Sequence, residues 1–130
     1  MPFSHLSSYQ FINVETFRKS GTGVKTPVWF AMDDQSIYVR TRANSGKVKR
    51  ARSNGRARVA PCKNNGELLG EWLDARIRLA QGSEVDQANR LFNRKYGLTK
   101  RFFDLVNGLT REAWDTLVIQ PVEETTPAAV

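Results

Sequence analysis

Polar and apolar residues alternate with a period of two through most of this chain, the spacing of strands whose successive side chains point to opposite faces of a sheet. Residues Gln10 to Lys19 hold Phe11, Ile12, Val14, Thr16 and Phe17, which suit a pleated, half-buried surface and predict a first strand. Ser20-Gly21-Thr22-Gly23 then offers two glycines for positive-φ positions, a hairpin signal. From Val24 to Met32 one face carries Val24, Thr26, Val28, Phe30 and Met32, while Lys25, Pro27, Trp29 and Ala31 point the other way. Pro27, which has no N–H to give a ladder, marks an edge strand or a bulge. After the polar turn Asp33-Asp34-Gln35, Ile37, Val39 and Thr41 alternate with Tyr38, Arg40 and Arg42 as a third strand with a basic outer face. Arg56 to Cys62, Trp72 to Leu79 and Ala113 to Val122 supply the remaining strands.

Three segments break this alternation. Ser45 to Asn54 opens on a good N-cap, lacks proline, and stops at Asn54-Gly55, which predicts a short helix. Ser83 with Asp86 resembles a capping box, and Ala88, Leu91, Phe92 and Tyr96 recur at helical spacing before Gly97. Thr99 to Val106 predicts a further short helix ended by Asn107-Gly108. The expected fold is therefore mainly β, of the α+β kind: an antiparallel split β-barrel with a short helix after the third strand and a helical pair before the last.

Length and composition narrow this further. A chain of 130 residues makes one domain with one core, and 40% hydrophobic with 25% charged residues is the balance of a folded domain. Residues 1–8 and 123–130 are expected to be flexible tails. No apolar run approaches the roughly 18 residues a membrane helix needs, and no basic-then-apolar leader opens the sequence. Cys62 is the only cysteine, which excludes an intrachain disulfide and a thiolate-rich metal site and fits a reducing cytoplasm. The net charge of +7 calls for an anionic partner, so the distribution of the cations matters.

Arg40, Arg42, Lys47, Lys49, Arg50, Arg52, Arg56 and Arg58 follow one another without an acidic residue among them. Like charges so crowded repel, and an anion relieves them. Thr41 ends a strand, Asn44 and Ser45 offer polar donors, Gly46 permits close backbone approach, and Lys47 enters a helix whose free N–H groups face the loop. This reads as a phosphate cradle. The same residues also suit a solvated cationic face, with Lys49, Arg52 and Arg56 as bystanders, or a nucleic-acid groove. The groove wants aromatic rings interleaved with the cations, and only Tyr38 lies near.

Other constellations are poorer. His5 is the only histidine, which leaves a Ser/His/Asp triad dependent on the terminus. Cys62 follows Pro61 with no histidine near to activate it and reads as a small filler. Asp33-Asp34 and Glu123-Glu124 lie at a turn and a tail, as solvated charge rather than metal ligands. Phe92, Tyr96, Phe102 and Phe103 form aromatic helical faces suited to packing over the barrel or bordering a substrate cavity.

Several linked motifs add a resemblance. Thr22-Gly23-Val24-Lys25-Thr26-Pro27-Val28-Trp29-Phe30, Ile37-Tyr38-Val39-Arg40-Thr41, Ser45-Gly46-Lys47-Val48-Lys49-Arg50, Asn54-Gly55-Arg56-Ala57-Arg58-Val59-Ala60-Pro61-Cys62 and Gly70-Glu71-Trp72 together resemble the pyridoxamine-phosphate-oxidase-like superfamily of FMN-binding split barrels. Within it, the likeness is to the branch that depends on coenzyme F420, a deazaflavin. The resemblance covers nearly the whole chain. It implies a homodimer with two cofactor sites at the subunit interface, with Thr41, Ser45 and Lys47 at the cofactor phosphate and Lys25 on a neighbouring strand. Lys49 and Arg50 match more loosely. Val28, Trp29 and Phe30 fall where relatives approach the flavin or deazaflavin ring, although alternation lets only Val28 and Phe30 share a face.

One departure concerns the cofactor. Relatives that use flavin mononucleotide (FMN) follow the serine with an Arg-Lys pair, whereas this chain has Ser45-Gly46-Lys47. A deazaflavin with a phosphodiester and a multiply carboxylated tail suits a longer cationic track, to which Arg40, Arg50 and Arg58 would contribute. The expected function is a cytoplasmic, homodimeric oxidoreductase that moves a hydride between coenzyme F420 and a small organic acceptor. The alternatives are an FMN-dependent oxidase or reductase and a flavin- or deazaflavin-binding protein without turnover; nucleic acid, membrane and metal are not expected. A redox role needs no catalytic triad, because the cofactor carries the hydride chemistry.

Overall fold

The computed structural model describes residues 3–42, 46–97 and 114–122; the helix expected over Thr99 to Val106, the C-terminal tail, Asn44 and Ser45 lie outside them. Seven strands form one antiparallel sheet: β1 (Phe11–Phe17), β2 (Gly23–Trp29), β3 (Ala31–Met32), β4 (Ile37–Arg42), β5 (Arg56–Cys62), β6 (Leu73–Leu79) and β7 (Trp114–Pro121). Their order is β2-β1-β5-β6-β7-β4-β3. Because β3 follows β2 in the chain yet lies at the opposite end of the sheet, the sheet curls back on itself into the split barrel expected from the sequence. Helix α1 (Gly46–Ser53) follows β4, and α2 (Ser83–Tyr96) precedes β7.

The inward-facing positions make the core. Ile12 and Val14, Ile37 and Val39, Ala57 and Val59, Ala75 and Ile77, and Leu117 and Ile119 come from alternate residues of five strands, with Phe30 and Ala51 of α1 added. On the other face α2 lays Ala88, Leu91 and Phe92 over Ala31, Tyr38 and Val118. The β6 pattern shows the principle most cleanly, with Ala75 and Ile77 buried and Asp74, Arg76 and Arg78 exposed. Pro27 sits on the edge strand β2, opposite Asn13, the kind of position in which a sheet tolerates proline.

The strand expected from Val24 to Met32 is two strands, interrupted at Phe30. Tyr96 replaces the missing ladder partner there. Its hydroxyl accepts from the Phe30 N–H at 3.1 Å and lies 2.5 Å from the Phe30 carbonyl and 3.1 Å from the Gln10 carbonyl, either of which can take its proton. Burial pushes the phenol up to about 12, so it holds that proton.

Two expectations are corrected. Residues 3–8 are not a free tail: Ser4–Ser8 form a 3-10 turn, and Phe3 and Leu6 are fully buried in the core. Burying each contributes about 1.5–3 kcal/mol, enough to hold a short turn. The capping box at α2 is also absent. Gly82, at φ 56°, occupies the N-cap without a side-chain cap. Glu84 serves that end instead, accepting from the Gln81 N–H at 2.9 Å while Arg78 grips both its oxygens at 2.7 Å.

Candidate cofactor site

Chain geometry brings the end of β4 and the start of α1 together. Thr41 is buried at the penultimate position of β4, opposite Asp115 of β7. Gly46 opens α1, exposed, and Lys47 follows it, half-buried. Val48 and Ala51 are the buried residues of α1, which packs against β1, β4 and β6 and so fixes where its first turn points. Arg50 reaches back across the helix, and its Nε donates to Thr16 Oγ1 at 2.6 Å. Its guanidinium occupies the place a Cβ at residue 46 would need, so glycine there leaves the cation room to lie against the helix start.

The electrostatics favour an anion at this point. Burial and then the neighbouring Arg50 push the Lys47 ammonium below its ordinary value. Burial, with Arg18 adding to it, does the same to Arg50. Helix α1 has no acid in its first turn, where the backbone dipole favours negative charge and Lys47 instead supplies a positive one. A phosphate here would relieve the repulsion and lie at the positive end of the α1 dipole. Each charge-assisted hydrogen bond would contribute about 1.5–3 kcal/mol. Lys49, by contrast, is exposed.

Lys25 and Arg58 belong to a second group on the outer face of the sheet. In the ladder Glu15 lies between them, opposite Lys25 on β2 and Arg58 on β5. Arg58 donates to Glu15 through Nε at 2.7 Å and Nη2 at 2.6 Å. Trp72 covers the pair, with Arg58 4.8 Å and Lys25 5.5 Å from its ring centroid. Arg40 is part-exposed on β4, opposite Thr116. Gly46, Lys47 and Arg50 therefore stand at one helix start and Thr41 near the end of the strand before it, while Lys25 and Arg58 gather around Trp72. Ser45 lies outside the described residues.

The residues expected at the cofactor ring divide between the two faces. Phe30 is fully buried in the core and Val28 packs against that same core, so both side chains face inward. Trp29 faces the other way, stacked on Tyr96 at 4.8 Å and edge-on to Phe11 at 6.0 Å. Phe92 in turn stacks on Tyr96, which makes these helical aromatics the packing of α2 on the sheet. Asp33 is a structural acceptor, taking the N–H groups of Gln35 and Ser36 at 2.8 Å. Cys62 is buried, and burial pushes its thiol up.

Sequence reading missed Glu15, Thr16 and Trp72. A carboxylate midway along a strand, between Val14 and Thr16, signals a charge that needs a cation if it is buried, but nothing in the sequence says which one.

No protein-family model matches the chain, and no curated protein is similar to it in sequence. Solved structures do share its fold, the split β-barrel. The heme storage protein HutZ from Vibrio cholerae superposes with a TM-score of 0.70 at 11% identity, over 94% of this chain and 89% of that one. A pyridoxamine 5'-phosphate oxidase assigned in Listeria innocua gives 0.65 at 12%, over 94% and 91%. An F420-H2 dependent reductase gives 0.60 at 13%, over 85% and 94%. Among the described residues, no helix is long and apolar enough to cross a membrane.

Proposed function

We propose that this chain is an oxidoreductase that binds coenzyme F420 and passes a hydride between it and a small organic acceptor, in the cytoplasm and as a homodimer. The observation that carries the reading is the pair of part-buried cations Lys47 and Arg50 at the start of α1. The donor set fits a phosphate-bearing cofactor: Lys47, Arg50 and the α1 N–H groups would hold the phosphodiester, with Thr41 beside them and Ser45 and Arg40 adjoining in sequence. Lys25 and Arg58 form the separate group around Trp72, on the opposite face from Arg50, with Arg58 engaged by Glu15, and are not needed to hold the phosphodiester. What favours F420 over FMN is the lack of an Arg-Lys pair after Ser45.

When bound, the deazaflavin supplies the hydride-carrying carbon. The protein's part is to bind and orient it. The Val28-Trp29-Phe30 segment would approach the ring through its backbone, since the Val28 and Phe30 side chains point inward. Tyr96 fixes that backbone by bonding both polar groups of Phe30. The fold shared with an F420-H2 dependent reductase supports the reading without carrying it.

The test is a fluorescence titration of the purified protein with coenzyme F420 and, in parallel, with FMN, with sedimentation to give the oligomeric state. Saturable F420 binding, weak FMN binding and a dimer are expected. Preference for FMN would transfer the site to that cofactor, and binding of neither would overturn the reading. Binding without hydride transfer to any acceptor would leave a cofactor-binding protein.

A further inference from the structure

Beyond the cradle at α1, the outer face of the sheet places two arginines side by side. Arg56 of β5 and Arg76 of β6 are direct partners across the antiparallel ladder, and both are exposed. Like charges directly opposite each other destabilise a sheet, so the arrangement stands against the ordinary preference for complementary pairs. Among the described residues neither arginine has an ion pair, although the next pair on the same face of the ladder, two residues along, is Arg58 with Asp74. The Arg56 guanidinium rests on the Phe17 ring at 4.5 Å, which restricts its position.

The two arginines also share a hollow. A surface depression of about 280 Å³ is lined by Arg56, Arg76, Asp74, Val122 and the adjoining Ala57–Ala75 ladder pair. This volume takes a small group, not a folded partner. Planar guanidinium forks from two neighbouring strands suit an oxyanion with at least two charges, because each can offer paired N–H donors. Asp74 in the lining opposes any anion, so binding needs one whose oxygens engage both guanidinium forks at once.

We propose that the Arg56–Arg76 hollow is an anion-binding subsite, separate from the α1 cradle, that takes a compact multivalent oxyanion, either phosphoryl or clustered carboxylate. The cradle residues lie at the helix start after β4, whereas this subsite lies on the exposed strand face of β5 and β6. The subsite does not depend on the identity of the cofactor.

The test is an amide NMR titration of the full-length protein with inorganic pyrophosphate and, separately, with citrate, at ionic strength matched with sodium chloride. Saturable shifts are expected at residues 56, 74, 76 and 122 in at least one arm, and the arm that saturates identifies the chemistry. Arg76→Gln, at an exposed site without an ion pair, should keep the fold and weaken that binding at least ten-fold. Arg56→Gln should do the same, whereas Lys47→Ala should leave it unchanged. Shifts confined to residues 41–50, shifts reproduced by chloride, no shifts at all, or an unchanged affinity in Arg76→Gln would each overturn the subsite.

Discussion

Lys95, near the end of α2, provides the most quantitative test of the packing of α2 on the barrel. Its ammonium nitrogen is buried, has no hydrogen-bond partner among the described residues, and lies 3.5 Å from the centroid of the Phe30 ring and 5.5 Å from that of Tyr96. Burial pushes its pKa down from 10.5 to about 8. The unfolded chain therefore holds this proton more tightly than the folded one. Its cost to stability is complete below about pH 8 and disappears as pH rises past the ordinary lysine value. A shift of that size corresponds to roughly 3 kcal/mol. Partial exposure and the attraction of the aromatic face for a cation reduce it to about 1–2 kcal/mol. Lys95→Met keeps the aliphatic packing and removes the charge. It should raise stability at pH 7 by about 1–2 kcal/mol, or roughly 3–10 °C in Tm for a domain of this size. Urea unfolding of both proteins at pH 7 and pH 10.5 measures this directly, and the advantage of the variant should fall to about 0.4 kcal/mol at the higher pH. A variant less stable at pH 7, or a difference that does not change with pH, would refute the reasoning.

Further outcomes follow from the same contacts. Tyr96→Phe removes the group that replaces a ladder partner at Phe30 and should cost about 1–3 kcal/mol in urea unfolding, because a buried N–H loses its acceptor. An unchanged stability would mean that water or another carbonyl takes over. Glu84 is held down to about 2, chiefly by its hydrogen bonds from Arg78 and then from the Gln81 N–H. Its contribution is therefore present above the ordinary carboxylate value of 4.5 and lost as pH falls towards 2. Because the pair is exposed, Glu84→Gln should cost less than about 1 kcal/mol at pH 7 and nothing at pH 2; thermal unfolding at both values checks it. Arg58→Met strands the Glu15 carboxylate in the sheet and should destabilise by about 1–3 kcal/mol, and the double variant with Glu15→Gln should recover much of that loss.

Strands and helices were legible because burial imposes a period. β5 runs over the same residues as its alternation, and β6 and α2 end within one residue of theirs. Long-range contacts were not legible. The break at Phe30 depends on a tyrosine 66 residues away, and a period-two pattern passes through it unchanged. The N-terminal turn looked like a tail because two apolar residues, Phe3 and Leu6, make no period. At the site, the cationic segment was plain in the sequence, but its division was not. Residues near in sequence, Arg50 and Arg58, point to opposite faces of the sheet, one to Thr16 and the other to Glu15.

The central claim is that Lys47 at the start of α1 holds the cofactor phosphate. The most direct measurement is the F420 dissociation constant of the wild type beside Lys47→Ala and Lys49→Ala, by fluorescence at fixed ionic strength. Both variants remove one charge from the same helix, one from a half-buried position and one from an exposed position. Lys47→Ala should weaken binding by at least ten-fold and Lys49→Ala by less than three-fold, in proportion to about 1.5–3 kcal/mol for a charge-assisted contact. Equal, small losses in the two variants would contradict the account.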